Sequence, residues 1–235
     1  MTDTTTPPQS RLNPASIEVI GLGLGRTGTM SLWAALNILG FGPAYHPMQS
    51  PTEAEDWSAW AEIIEGRDTS PEAFDEILRG YKSAVDSQVA VMFKEVYAAY
   101  PNAKFVLTVR DPSKWENSLK ATVLKARELT DKNQVKPKME GKARWAKTYF
   151  DVYHKGRLAT HAKEELEEHT ENVKSTIPAD QLLVYDVKEG WDRLAEFLGV
   201  PKPDIPFPHL NETQSYHQVI ITDIEEKMAQ KAMGV

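Results

Sequence analysis

The run Gly21-Leu22-Gly23-Leu24-Gly25-Arg26-Thr27-Gly28-Thr29-Met30-Ser31, with what stands on either side of it, constrains this chain more than any other feature. Ahead of it, the residues from Ile17 to Leu22 are short and largely β-branched, the composition of a buried parallel strand. Behind it, Met30, Leu32, Trp33, Leu36 and Leu39 recur at three- and four-residue steps as far as Gly40, the pattern of a helix with a glycine stop. A strand, a glycine turn and a helix in that order aim unpaired amides and the positive end of the helix dipole at the turn. The segment therefore predicts an anion site, and a parallel sheet with crossover helices to hold it.

The rest of the chain agrees. Short strands are expected at Ser83 to Asp86, Lys104 to Val109 and Gln181 to Val187. Helices are expected over Thr52 to Ile64, Pro71 to Leu78, Val89 to Tyr100, from Pro112 through Trp115, Ser118, Leu119 and Val123, and over Trp191 to Leu198 before Gly199. Thr130 to Gly141, charged and carrying Pro137, predicts a mobile loop or the start of a cap, and Lys142 to Val173 one long or two shorter helices. Strands and helices alternating at these lengths give right-handed βαβ units, hence an α/β fold with a central, mostly parallel sheet and helical insertions. A chain of 235 residues, 41% apolar, fits one domain over 16–235 behind a polar leader at 1–15 that is expected to be disordered. A net charge of -7 argues against a general nucleic-acid footprint, and no apolar run approaches the roughly 18 to 20 residues of a membrane span. With no cysteine, thiolate nucleophiles and disulfides drop out. A cytoplasmic protein is the expectation, with a homodimer left open.

Three patterns compete for the glycines. Gly23, Gly25 and Gly28 have the spacing of a dinucleotide-binding turn, but the ribose-holding acid expected about 20 positions on is missing, since Glu53 lies beyond Pro47 and Pro51. Gly23 and Gly28 also have Walker A spacing, yet Thr29-Met30 stands where Lys-Ser/Thr is needed, which disfavours a kinase or ATPase. The third pattern, Gly-x-Gly-Arg-Thr-Gly-Thr-x-Ser, resembles the 5′-phosphosulfate loop of the P-loop sulfotransferases. Leu107-Thr108-Val109-Arg110-Asp111-Pro112, with Ser118 eight positions after Arg110, is similar to that family's 3′-phosphate strand and helix. So are Leu39 to His46, Tyr100 to Lys104, Gln181 to Trp191 and Phe207 to Asn211, which resemble the branch common in fungi and bacteria.

The resemblance, over residues 17 to 215, implies a P-loop NTPase-like three-layer sandwich. It further implies a sulfuryl donor, 3′-phosphoadenosine 5′-phosphosulfate (PAPS), leaving as adenosine 3′,5′-bisphosphate (PAP), and a small-molecule acceptor. It implies that Gly25, Arg26, Thr27, Gly28, Thr29, Met30 and Ser31 hold the phosphosulfate, that Arg26 takes the place of the family's catalytic lysine, and that Arg110 and Ser118 bind the 3′-phosphate. The acceptor's base stays open between His46, 20 residues after Arg26 as the catalytic Glu is in several Golgi-type members, and Asp86, in the region where cytosolic members carry a His that is absent here. The histidines show no metal-ligand spacing, so no metal is assigned. Trp57, Trp60, Trp115, Trp145, Tyr149, Phe150 and Tyr153 stand mostly at helical spacing and are expected in the packing, with the acceptor sought between 57–78 and 145–153. Glu164 to Glu171 is expected as a solvated helix face. The rival to an enzyme is an inactive or repurposed binding protein on the same fold, and less so a kinase or NAD(P)-dependent oxidoreductase.

Overall fold

The computed structural model describes residues 17–50, 54–133, 140–210, 214 and 216–232. Five strands, β1 (Val19–Gly21), β2 (Ala44–Tyr45), β3 (Ser83–Ala84), β4 (Lys104–Thr108) and β5 (Leu182–Tyr185), form one sheet in the order β2-β3-β1-β4-β5. Every pairing is parallel, with Val19 registered on both Ser83 and Lys104. The chain moves from β1 to one edge and then crosses to the other, so the carboxyl end of β1 lies where the strand order reverses, the usual place for a crevice in such sheets.

Side-chain alternation along the strands makes two apolar faces. Ile20, Ala84, Phe105 and Leu107 join one cluster with Val89, Val96, Trp115, Leu166 and Val173. Val19, Val106, Leu183 and Tyr185 join the other with Leu32, Leu36, Leu194 and Leu198. The second face is covered by α1 (Thr29–Ile38) and α10 (Trp191–Leu198). The first is covered by α4 (Ser87–Ala90), α5 (Phe93–Ala99), α6 (Pro112–Ala121) and α9 (Ala162–Thr176). Helix, sheet and helix are the three layers the sequence implied. Helices α2 (Ala54–Ile64), α3 (Pro71–Ile77), α7 (Val123–Asn133), α8 (Glu140–Thr148) and α11 (Thr222–Ala232) are the insertions and the tail, with α11 on α7 through Ala126, Ile221 and Ile224. Among the described residues no helix is long and apolar enough to cross a membrane.

Three expectations need correction. The helix expected over Val89 to Tyr100 is two, α4 and α5, because Val89, Ala90, Val91, Met92 and Phe93 are all buried and an unbroken apolar run carries no period to locate a bend. Thr130 to Asn133 is helix rather than loop, while Pro137 lies outside the described residues. Glu165 does not face solvent: it is buried and paired with His154 Nδ1 at 2.6 Å. The stretch from Lys142 divides into α8, a π turn at Tyr149–Tyr153, and α9. The leader at 1–15 lies outside the described residues.

His169 on α9 ties the outer layer to the sheet. Its Nε2 donates to the Leu22 carbonyl at 2.7 Å, and its Nδ1 accepts from the Tyr153 hydroxyl at 2.8 Å, so the buried ring is neutral and fully bonded. Burial pushes its pKa down to about 4, against the bond to Leu22, which works the other way. Because the folded value lies below the unfolded one, about 6.5, the unfolded chain binds more protons below that pH and stability falls as pH drops from about 6.5 toward 4. Urea midpoints at pH 7 and pH 5 should differ by about 2 kcal/mol of stability from this residue. In His169→Gln, which keeps a donor and cannot titrate, the loss should shrink by that amount, leaving the share of His154, whose pKa burial likewise pushes down, to about 3.

Candidate functional site

All the candidate residues stand at the carboxyl edge of the sheet. His46 follows β2, Asp86 follows β3, the glycine loop follows β1, Arg110 follows β4, and Asp186 to Lys188 follow β5. The loop is held by its neighbours on both sides. The Gly25 amide donates to Ser87 Oγ at 3.0 Å, its carbonyl accepts from Trp115 Nε1 at 2.9 Å, and Thr27 Oγ1 donates to the Leu24 carbonyl at 2.7 Å and lies 2.6 Å from Thr108 Oγ1. Gly23 is where the loop runs against β4: a Cβ there would fall 1.8 Å from Thr108 Oγ1 and 2.7 Å from the Thr108 carbonyl. Gly23→Ala should therefore melt well below the parent, by roughly 2 kcal/mol or more. Thr108→Ala should not rescue it in the same thermal scan, since the carbonyl clash remains.

Helix α1 begins at Gly28, φ 110°, with no side chain capping it, so the positive end of the helix faces the loop. Thr29, Met30 and Ser31 are buried there, and Ser31 Oγ accepts from the Leu210 amide at 3.1 Å. Arg26 is not a surface cation. It is 6% exposed, sits at φ 77°, a conformation that costs a non-glycine residue energy, and its Nε donates to Ser118 Oγ at 3.2 Å. Its guanidinium carbon lies 5.8 Å from the centroid of Tyr216, whose hydroxyl is pushed up to about 12 by burial, with Arg26 pulling the other way. Arg110 Nη1 donates to the Arg26 carbonyl at 2.8 Å, which ties the two arginines to one piece of backbone. Ser118, which the resemblance groups with Arg110, thus also meets Arg26.

These groups open on a cleft of about 400 Å³ whose wall carries Arg26, Arg110, Lys114 and Lys188 against the one carboxylate of Asp186, with the loop residues Thr27, Gly28 and Ser31 and, from the far side, His209. On a chain of net charge -7 this is a local reversal of sign. Lys114, Lys188 and His209 were not singled out from the sequence. The stretches that resemble the sulfotransferases contained Lys188 and His209, but only the folded strand ends turn them toward the loop.

On the other side of the loop, His46 and Asp86, rivals in the sequence, are one unit. His46 Nε2 lies 3.1 Å from Asp86 Oδ2, and Thr29 Oγ1 donates to the same oxygen at 2.5 Å and lies 3.3 Å from His46 Nε2. His46 Nδ1 accepts from the Met48 amide at 3.1 Å, so the ring proton belongs on Nε2 and points at Asp86. The histidine is 2% exposed while the Asp86 side chain keeps 16%. Burial alone would raise the Asp86 carboxyl, but the His46 hydrogen bond and attraction, Thr29 and the Ser87 amide together hold it well below the usual carboxylate range. Asp86 stands at φ 87°, a second strained residue beside the loop. Among the described residues no group of three or more histidines and acids could hold a metal ion.

A family model described as "Sulfotransferase domain" matches residues 18–216. The "Ava biosynthesis cluster protein M" of Aspergillus versicolor is 29% identical over 219 residues, covering 83% of this chain and 80% of that protein. A solved sulfotransferase from Alicyclobacillus acidocaldarius aligns over 90% of this chain and 94% of its own, at 14% identity and a TM-score of 0.47.

Proposed function

The chain belongs to the sulfotransferase family, and we propose that it transfers a sulfuryl group from PAPS to a hydroxyl or amine of a small-molecule acceptor. The observation that carries this is the placement of a buried arginine, an uncapped helix start and a second arginine around one cationic cleft, with a histidine–carboxylate pair on the opposite side of the same loop. The loop from Gly25 to Ser31 would hold the phosphosulfate, and Arg110 with Lys114 or Lys188 the 3′-phosphate; a guanidinium presents a planar fork to phosphate oxygens.

In the transfer an acceptor oxygen or nitrogen bonds to sulfur, the bond from sulfur to the bridging phosphate oxygen breaks, and PAP leaves with the electron pair. Arg26 answers the charge that grows on that oxygen. The acceptor's proton passes to Asp86, the partner with an open edge, while His46, its ring nitrogens both engaged, keeps the carboxylate ionised and aimed. His46 is therefore a positioning residue and Asp86 the base.

Calorimetric titration with PAP tests the donor half. The full chain should bind it, and Arg110→Ala should weaken binding by roughly 10- to 100-fold, the worth of a hydrogen bond to a charged group. No binding by the parent would overturn the donor site, and unchanged binding by the variant would overturn the role of Arg110.

A further inference from the structure

A cation held out of water needs polar or aromatic groups against it in water's place. Arg26 has Ser118 Oγ on its Nε at 3.2 Å and the ring of Tyr216 against its guanidinium, with 5.8 Å between the guanidinium carbon and the ring centroid. One helix sets both contacts. Ser118 lies on α6, and Ala121, the last residue of that helix, accepts through its carbonyl from Nε2 of His217, the residue after Tyr216, at 2.8 Å. The π turn His217–Ile221 then packs Ile221 against Ala126 of α7, with Tyr216 at the edge of the same small cluster. Tyr216 thus reaches Arg26 on a segment tied to the helix that orients Arg26.

Tyr216 is not part of the cationic cleft wall. It lies on the Asp86 side of Arg26. Asp86 and Arg26 act on its hydroxyl in opposite senses, and Tyr149, hydrogen-bonded to Ser87, feels the charge of Asp86 and the presence of Tyr216 together. Burial keeps the Tyr216 phenol protonated, so it is no rival to Asp86 as a base. What it brings to this corner is a ring that covers the guanidinium.

The reacting atom of an acceptor has to stand between the sulfur at Arg26 and the carboxylate of Asp86. Water fits the same gap, since it too has an oxygen for sulfur and a proton for Asp86. Arg26 answers the charge on the leaving oxygen whichever nucleophile attacks. Neither residue tells water from an alcohol, so transfer without hydrolysis needs a third group that keeps water away.

We propose that Tyr216 determines specificity against water, by excluding it from the gap between Arg26 and Asp86 so that bound PAPS is kept for its acceptor. The exclusion of water rests on the transfer reading above; the cover over Arg26 does not. Without the ring, a water oxygen bonds to sulfur, the bond from sulfur to the bridging phosphate oxygen breaks, and PAP leaves with the electron pair. Asp86 takes one proton of the water, and hydrogen sulfate is released.

Two measurements on the full chain test this. Given PAPS and no acceptor in water labelled with oxygen-18, Tyr216→Ala should release PAP and labelled sulfate about tenfold faster than the parent, because water then reaches a base whose help is worth roughly 10²-fold or more. Tyr216→Phe keeps the ring and should stay within about twofold of the parent. Adding Asp86→Asn to Tyr216→Ala should remove the gain. With no nucleotide present, phenylglyoxal should modify Arg26 several times faster in Tyr216→Ala than in the parent or Tyr216→Phe, read by mass spectrometry against the exposed Arg67. Tyr216→Val replaces the alanine variant should that one melt early. Parent rates in both measurements for a folded variant, or the same gain in Tyr216→Phe, would overturn the proposal. So would faster modification of Arg26 without faster hydrolysis in a chain that binds PAP. Faster modification in a chain that does not bind PAP would keep Tyr216 as the cover of Arg26 and overturn the transfer reading instead.

Discussion

Arg26→Ala is expected to lower kcat for sulfuryl transfer by roughly 10²- to 10³-fold, the loss seen when one preorganised donor is removed from a site of developing charge. The effect should fall on kcat more than on PAP affinity, because Arg110 and the amides of the first turn of α1 remain. The location of Arg26 gives the reason for the size. It is held out of water by its burial, oriented by Ser118, and fixed at a strained φ, so its charge needs no rearrangement when the leaving oxygen becomes negative. Arg26→Lys restores charge without the fork or the Nε bond to Ser118 and should recover only part of the rate. A melting curve for each variant separates this from unfolding, and a kcat within threefold of the parent in a folded Arg26→Ala would remove the residue from the mechanism.

The second large effect concerns the pair on the other side of the loop. Asp86→Asn should cost roughly 10²- to 10⁴-fold in kcat, the range for a lost general base, while the fold survives because Asn has the shape of Asp and adds no strain to a backbone already held at φ 87°. His46→Ala should cost less and act differently. Removing His46 takes away two of the influences that lower Asp86, so the folded carboxyl rises toward its ordinary value. Activity needs the ionised form, so the acid limb of the kcat/KM profile should move to higher pH in His46→Ala and disappear in Asp86→Asn. A profile whose acid limb stays in place in His46→Ala would show that His46 does not act through Asp86, and an active Asp86→Asn would move the proton elsewhere.

Much of the site was legible before folding, and for a local reason. A glycine loop between a β-branched strand and an amphipathic helix predicts an anion site from adjacent residues, whereas the choice among three patterns for Gly25 to Ser31 drew on Arg110 and Ser118, far along the chain. Arg110 was legible as the end of the clearest strand, cut off by Asp111-Pro112. The relation between Arg26 and Ser118, 92 residues apart, was not, because a hydroxyl on a helix has no spacing that says which of two arginines it meets. The break between α4 and α5 was hidden by five consecutive buried residues, and the burial of Glu165 by the acids around it, which share its charge but not its side of α9.

The residues alone determined the parallel sheet, the glycine loop after β1 and the arginine in it, because each reads from a few adjacent residues: strand pattern, turn glycines, helix start. Only the tertiary structure decided that His46 and Asp86 are one pair, that Ser118 serves Arg26, and that Lys114, Lys188 and His209 face the loop. Those facts follow from the sheet order β2-β3-β1-β4-β5, which brings the ends of β2 and β3 to one side of the loop and those of β4 and β5 to the other. Strand order is set by which apolar faces pack across the whole sheet, a nonlocal balance that no single segment of sequence carries.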